Sequence, residues 1–113
     1  MELQYSEQGN NVRIIKLIGA LDIMGVNMVD VKFSGYCSGE KPLVLVDLSE
    51  VNFIASIGIR LLTSNAKSTN VRGGKLVLVG ATPEVKSILE ITGIPGVIPM
   101  YDKLESTEAV LMG

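Results

Sequence analysis

The sequence predicts an α/β fold in which helices pack beside one mixed sheet. Two uninterrupted aliphatic runs, residues 43–46 and 76–79, have the composition of strands that are covered on both faces in a parallel sheet. The stretch between them, residues 56–71, places apolar and polar side chains on opposite sides of a helical wheel. Because a helix separates the two runs, we expect these strands to be adjacent and parallel, with residues 43–46 in a central position.

Size and composition indicate one domain that covers residues 1–113. An apolar share of 47% against 19% charged residues is typical of a globular protein. The net charge of −2, without a basic block, argues against direct contact with nucleic acid. The apolar runs are far shorter than the roughly 20 residues of a membrane-spanning helix, so we expect no membrane insertion. The opening Met-Glu-Leu-Gln and the lone Cys37 favour the cytoplasm.

The first half of the chain predicts a hairpin, a helix and a strand. Alternating apolar and polar residues at the N-terminus lead into a turn at residues 7–11 and a β-branched run at 12–18. Apolar residues at helical spacing then predict a first helix over about 24–36. After the strand at 43–46, we expect residues 47–55 to form a connecting loop. The apolar residues that suggest the first helix are Met24, Met28, Val29 and Val31.

The second half predicts two further helix–strand units and a last helix. The long helix at 56–71 presents Ile57, Ile59, Leu61, Leu62 and Ala66 on its apolar side. Thr82-Pro83-Glu84 has the composition of a helix start, with Gly93 suited to the C-terminal end. We expect a core stripe of Val85, Ile88, Leu89 and Thr92, then a short strand around 97–101 and a helix at 104–112. The complete predicted order is β-β-α-β-α-β-α-β-α.

The absence of histidine restricts function more than any motif does. It removes Ser-His-Asp triads, histidine-assisted cysteine nucleophiles and the commonest zinc ligand together. Cys37 cannot build a metal site by itself, and we assign it no function. The sequence therefore predicts a protein that is not an enzyme and that holds neither a metal nor an organic cofactor.

Ser56 stands where the predicted loop becomes the long helix. A serine in this place ordinarily accepts hydrogen bonds from free backbone amides, so we expect Ser56 to be the N-cap. The same hydroxyl is accessible to a kinase and surrounded by amides suited to phosphate. Ser49 is an alternative acceptor, although the more ordinary role for a serine there is that of a turn residue.

Three segments resemble the STAS domain family. Residues 46–59 read Val-Asp-Leu-Ser-Glu-Val-Asn-Phe-Ile-Ala-Ser-Ile-Gly-Ile. They are similar to the family's apolar strand that ends in Asp-Leu-Ser and to its Phe-Ile-Asp-Ser-x-Gly-Leu-like segment. Residues 19–22, Gly-Ala-Leu-Asp, resemble the family's Gly-x-Leu-Asp element, and residues 73–76, Gly-Gly-Lys-Leu, its glycine turn. The predicted order of strands and helices agrees over nearly the whole chain.

The resemblance implies an anti-sigma factor antagonist that is switched by phosphorylation. Members of this type bind an anti-sigma factor, which is also a serine kinase, when unphosphorylated, and a phosphatase can reverse the modification. Ser56 would be the phosphorylated residue, with Ala55 in place of the usual aspartate and Ile57 in place of a small or hydroxyl residue. Asp22 is either a partner contact or a local turn acceptor. The expected partner-binding residues are Asp22, Ala55, Ser56, Ile57, Gly58, Arg60, Thr63, Ser64 and Lys67.

Two other classes of function are weighed against this one. STAS domains also serve as scaffold subunits of signalling assemblies and as accessory subunits of transport systems, and Ala55 is compatible with either role. A receiver-like or nucleotide-binding α/β domain is disfavoured. The chain lacks an acidic pair after its first strand and contains neither phosphate-binding glycine motif.

Overall fold

A computed structural model describes residues 1–9 and 11–102 of the chain. In this part of the chain, five strands form one sheet whose strand order is the same as their order in sequence. A short 3₁₀ helix, Ile94–Gly96, lies between the last helix and the last strand. The elements are β1 (Glu2–Gln8), β2 (Val12–Leu21), α1 (Ile23–Tyr36), β3 (Leu43–Ile54), α2 (Ser56–Val71), β4 (Lys75–Val79), α3 (Pro83–Ile91) and β5 (Met100–Tyr101).

The sheet is mixed, as the sequence predicts. β1 pairs antiparallel with β2, whereas β2, β3, β4 and β5 pair in parallel. The two aliphatic runs are adjacent and in register from the pair Leu43 and Lys75 to the pair Asp47 and Val79, which confirms the predicted parallel pairing. The α/β fold class and the order of its described elements are therefore confirmed.

The central strand β3 contributes to a buried cluster on each face of the sheet. Val44 and Val46 pack in the larger cluster, which contains residues of all three helices. Leu45, between them, belongs to a smaller cluster with Val12 and Val77, because successive side chains of a strand point to opposite faces. Burial on both faces explains why this run carries no polar residue.

The predicted loop at residues 47–55 is wrong, because β3 continues through it to Ile54. The strand keeps pairing with β2 as far as the pair Leu21 and Ile54, through two irregularities in the register. Leu48, Val51 and Ile54 are buried along this extension. Pairing and burial thus hold the segment extended, although it contains Asp, Ser, Glu and Asn.

The first helix is confirmed, but of its predicted apolar face only Val29 is buried. Met24, Met28 and Val31 are exposed, at 75%, 64% and 82% of their surface. The buried face carries Val29 together with Gly25, Val26 and Phe33. Val26, Val29 and Phe33 form a stripe with helical spacing that includes the largest fully buried side chain, so this face packs on the sheet.

The C-terminal part departs from expectation in two places. Thr92 is exposed and caps the end of α3, so the core stripe of that helix ends at Leu89. The predicted strand at 97–101 is reduced to Met100–Tyr101, since the amides of Val97 and Ile98 donate back to the carbonyl oxygen of Ile94. The helix predicted at 104–112 lies outside the described residues. None of the helices in the described ranges has the length and apolar character that crossing a membrane requires.

Candidate functional site

The first turns of α1 and α2 meet at the C-terminal end of β2. The backbone amide of Ala55 donates to the carbonyl oxygen of Leu21 at 3.0 Å. The third residue of each helix is a glycine, and a Cβ on Gly58 would lie 2.7 Å from the same Leu21 oxygen. A Cβ on Gly25 would collide with the carbonyl oxygen of Ala20. Both helices therefore approach the strand end closely, and Ser56 lies beside the start of α1.

Asp22 is the N-cap of α1. Its Oδ1 accepts a hydrogen bond from the backbone amide of Gly25 at 2.8 Å. The local acceptor role that the sequence suggested for this aspartate is thus observed. Its role in partner contact stays a prediction.

Ser56 is not the N-cap of α2, which corrects the expectation from the sequence. Ala55 occupies the cap position in an extended conformation, with φ −100° and ψ 173°, and no side chain caps the helix. The helix begins at Ser56 because Ala55 is already held by its bond to Leu21. The Ser56 side chain is exposed, and its hydroxyl makes no hydrogen bond to any described residue. The hydroxyl is therefore available for modification or for a partner.

A shallow hollow surrounds the Ser56 hydroxyl. It is lined by Ile23 from α1 and by Ala55, Ser56, Ile57 and Arg60. Ile57 and Arg60 also line the adjoining groove between α1 and α2, which contains Asp30 on the side of α1. The surface around Ser56, which we call the Ser56 hollow, is thus largely apolar, with one cation at its rim.

The structure brings most of the predicted partner-binding residues to one surface. Ser56, Arg60, Ser64 and Lys67 are exposed along α2, and Thr63 is partly exposed. Ala55 and Ile57 are half-buried at the hollow. Gly58 is the exception, since it is buried against Leu21 and contributes packing instead of contact surface.

Sequence reasoning predicted Ile57 at this site but missed Ile23 and the exposure of nearby apolar residues in the sequence. Ile23 lines the hollow and is 64% exposed, and Phe53, three residues before Ser56, is 51% exposed. Met24, the neighbour of Ile23, is also exposed. The signal was present as apolar residues on α1, but the spacing was interpreted as a core stripe. An exposed apolar side chain beside the hydroxyl, as Ile23 is, suits a protein-binding surface.

The Cys37 thiol and the acidic side chains are candidate reactive or metal-binding groups of the described residues. Cys37 is buried, and burial raises the pKa of its thiol to about 12, so it is protonated at neutral pH and is a poor nucleophile. No three carboxylate or cysteine side chains cluster as a metal site within residues 1–9 and 11–102.

Comparison with known families agrees with this geometry. The STAS domain model matches residues 5–107, which is most of the chain. The chain belongs to the STAS domain family. Within this STAS domain, the segment that carries Ala55 and Ser56 lies at the junction of β3 and α2.

Relatives of the STAS domain include anti-sigma factor antagonists. The anti-sigma F factor antagonist of Paenibacillus polymyxa is 26% identical over 104 residues, which cover 90% of this chain and 89% of that protein. BtrV of Bordetella bronchiseptica, assigned as an anti-sigma factor antagonist, is 34% identical over 71 residues, 63% of this chain; the match spans only 60% of BtrV. An anti-sigma factor antagonist structure from Mycobacterium paratuberculosis superimposes with a TM-score of 0.89 at 18% identity, covering 99% and 94% of the two chains.

Proposed function

We propose that this STAS domain is an anti-sigma factor antagonist that binds its anti-sigma factor through the Ser56 hollow and the adjoining face of α2. Binding would free a sigma factor and so would act on transcription indirectly, in the cytoplasm. Phosphorylation of Ser56 by the anti-sigma factor, acting as a serine kinase, would end the binding, and a phosphatase would restore it. The names of the two relatives support this role.

The observation that carries the proposal is the exposed Ser56 hydroxyl without a hydrogen-bond partner among the described residues. A kinase must reach this oxygen, and a binding partner must be able to cover it. Both conditions are met, because Ser56 is exposed and lies in a hollow with Ile23 and Ile57 at its sides. Desolvated apolar contacts around a central polar group are common at the energetic centre of an interface.

Phosphorylation at this point would act on the interface and not on the fold. It adds roughly −1.5 to −2 charges and three acceptor oxygens. In the free protein these oxygens face solvent. In a complex they would be desolvated next to apolar side chains, which is costly for a doubly charged group. The modification is therefore expected to weaken partner binding while the protein stays folded.

The experiment compares Ser56→Ala and Ser56→Asp with matched changes at Ser49. Ser49 is also an exposed serine of the family segment, but it lies on β3 outside the hollow. The tagged proteins are purified from their native host, the bound anti-sigma factor is identified by mass spectrometry, and its affinity is measured by calorimetry. Phosphate incorporation is followed with the same partner and ATP.

We expect Ser56→Ala to bind like the wild type and to lose phosphate incorporation, and Ser56→Asp to bind at least about tenfold more weakly. Ser49→Ala and Ser49→Asp should behave like the wild type in both measurements. Persistent labelling of Ser56→Ala, or full affinity of Ser56→Asp, would contradict the switch. Recovery of transport or scaffold proteins in place of an anti-sigma factor would contradict the proposed partner.

A further inference from the structure

Arg60 lies one helical turn after Ser56 on the same face of α2. Residues four apart on a helix are neighbours, with their Cβ atoms about 5–6 Å apart. Both side chains line the Ser56 hollow, and no acidic residue shares that lining. The guanidinium is therefore the cation within reach of a group attached to the Ser56 oxygen.

Arg60 differs from the other arginines in having no partner among the described residues. Arg13 donates to the carbonyl oxygens of Tyr36 and Ser38. Arg72 donates to Ser68 Oγ and to the carbonyl oxygen of Gly39. Within the described ranges the ion pairs join lysines to acids, and the Arg60 guanidinium takes part in no ion pair or hydrogen bond.

Neither Asp30 of α1 nor Asp22 at its N-cap forms an ion pair with Arg60. Asp30 lines the adjoining groove with Arg60, but the two form no ion pair. The Asp22 carboxylate is engaged by the Gly25 amide. A phosphate one turn away on the same helix has more charge than either carboxylate and matches the planar fork of a guanidinium. It would thus compete effectively with both acids.

We infer that Arg60 is the internal partner of a phosphate on Ser56, binding it across one turn of α2. This inference rests on the proposed function. It adds a second effect of phosphorylation: the modified side chain withdraws Arg60 from the surface that faces the anti-sigma factor. The switch then alters two neighbouring contacts at once, a hydroxyl that becomes an anion and a cation that is no longer available.

The test installs phosphoserine at position 56 during translation and titrates its phosphate by ³¹P nuclear magnetic resonance. An adjacent guanidinium favours the dianion, so we expect the second pKa of the phosphate to be lower, by about half a unit or more, in the wild type than in Arg60→Gln. Arg60→Lys should give an intermediate value. Lys67→Gln is the matched control, because Lys67 lies about 16.5 Å from Ser56 along the helix axis.

Equal phosphate pKa values in the wild type and in Arg60→Gln would overturn the inference, as would an equal shift in Lys67→Gln. Because the phosphate is introduced without a kinase, this result does not depend on which residue the kinase selects. If labelling shows another acceptor while the titration shows the Arg60 effect, the proposed switch fails and the pairing stands. If Ser56 is labelled and the titration shows no effect, only the pairing fails.

Discussion

The amide of Ala55 and the carbonyl oxygen of Leu21 form a 3.0 Å hydrogen bond that ties the start of α2 to the end of β2. This bond fixes Ala55 in the cap position and makes Ser56 the first helical residue. It also brings Ile23, the first residue of α1, to the same hollow as Ser56. One backbone contact thus joins the start of each helix to the candidate switch residue.

The uncapped start of α2 predicts that a polar residue at position 55 stabilises the protein. In Ala55→Ser, the new hydroxyl can accept from the free amide of the first turn, as the Asp22 side chain does for Gly25 in α1. We expect the free energy of unfolding to rise by about 1 kcal/mol, measured by urea denaturation. Ser56→Ala is the control and should change stability little, because Ser56 is not the cap. A loss of about 1 kcal/mol in Ser56→Ala would show that serine caps the helix after all.

The close approach at Gly58 predicts a destabilising effect of alanine there. Its Cβ would lie 2.7 Å from the Leu21 oxygen and 3.0 Å from Ile54 Cγ1, so α2 would have to move away from the strand. We expect Gly58→Ala to lower the free energy of unfolding by about 1–2 kcal/mol despite the better helix propensity of alanine. Gly35→Ala in α1, where no atom lies within 4 Å of the added Cβ, should stabilise by about 0.5 kcal/mol. Equal effects at both glycines would refute the crowding at position 58.

The capping hydrogen bond of Asp22 predicts different stabilities for the variants Asp22→Ala and Asp22→Asn. Asp22→Ala removes the acceptor for the Gly25 amide and should cost about 1 kcal/mol of stability. Asp22→Asn keeps an acceptor oxygen and should unfold at nearly the wild-type urea concentration. Both variants remove the negative charge, but only Asp22→Asn keeps the acceptor, so the comparison separates the contribution of the capping bond to stability from that of the charge. The separation matters because Asp22 is also a predicted partner contact. Equal destabilisation by both variants would assign the effect to charge.

Burial of Cys37 predicts low reactivity and a specific pH dependence. At about pH 8 the folded protein should resist alkylation by iodoacetamide, and the unfolded chain should react. The thiol has its ordinary pKa of 9.0 in the unfolded chain and a pKa of about 12 in the folded protein. Because only the unfolded state loses the proton between these values, the free energy of unfolding should fall as the pH rises through this window. The urea concentration at the unfolding midpoint should therefore fall between about pH 8 and about pH 11, and it should fall more in the wild type than in Cys37→Ala. An equal fall in both proteins would exclude the thiol as the cause.

Aliphatic runs and turn composition were sufficient to predict the parallel part of the fold. The run at 43–46 has no polar residue because it is buried on both faces of the sheet. Such burial is typical of parallel strands, which are joined by crossover helices. Thr82 and Pro83 marked the start of α3 for a local reason, since the Thr82 hydroxyl caps the Val85 amide. Features that depend on burial or on local hydrogen bonds can therefore be predicted from the residue types in the sequence.

The remaining features depend on contacts between distant residues. The cap at Ala55 follows from a bond to Leu21, 34 positions earlier, which no local pattern indicates. The exposed Met24 and Met28 have the same spacing as a core stripe, and only the packing of Phe33 decides which side of α1 is buried. The extension of β3 to Ile54 depends on its partner β2. Sequence therefore located Ser56 and Ile57 but not Ile23 of α1, which lines the same hollow.

The order of the strands in the sheet has a consequence for the assembly of the domain. Each strand lies beside the one that precedes it in the chain, so the sheet grows at one edge only. No later strand has to insert between two that have already paired, and each parallel connection closes a loop only one helix long. A chain emerging from the ribosome could add its strand–helix units in the order of synthesis, and this arrangement keeps contacts local and favours rapid folding.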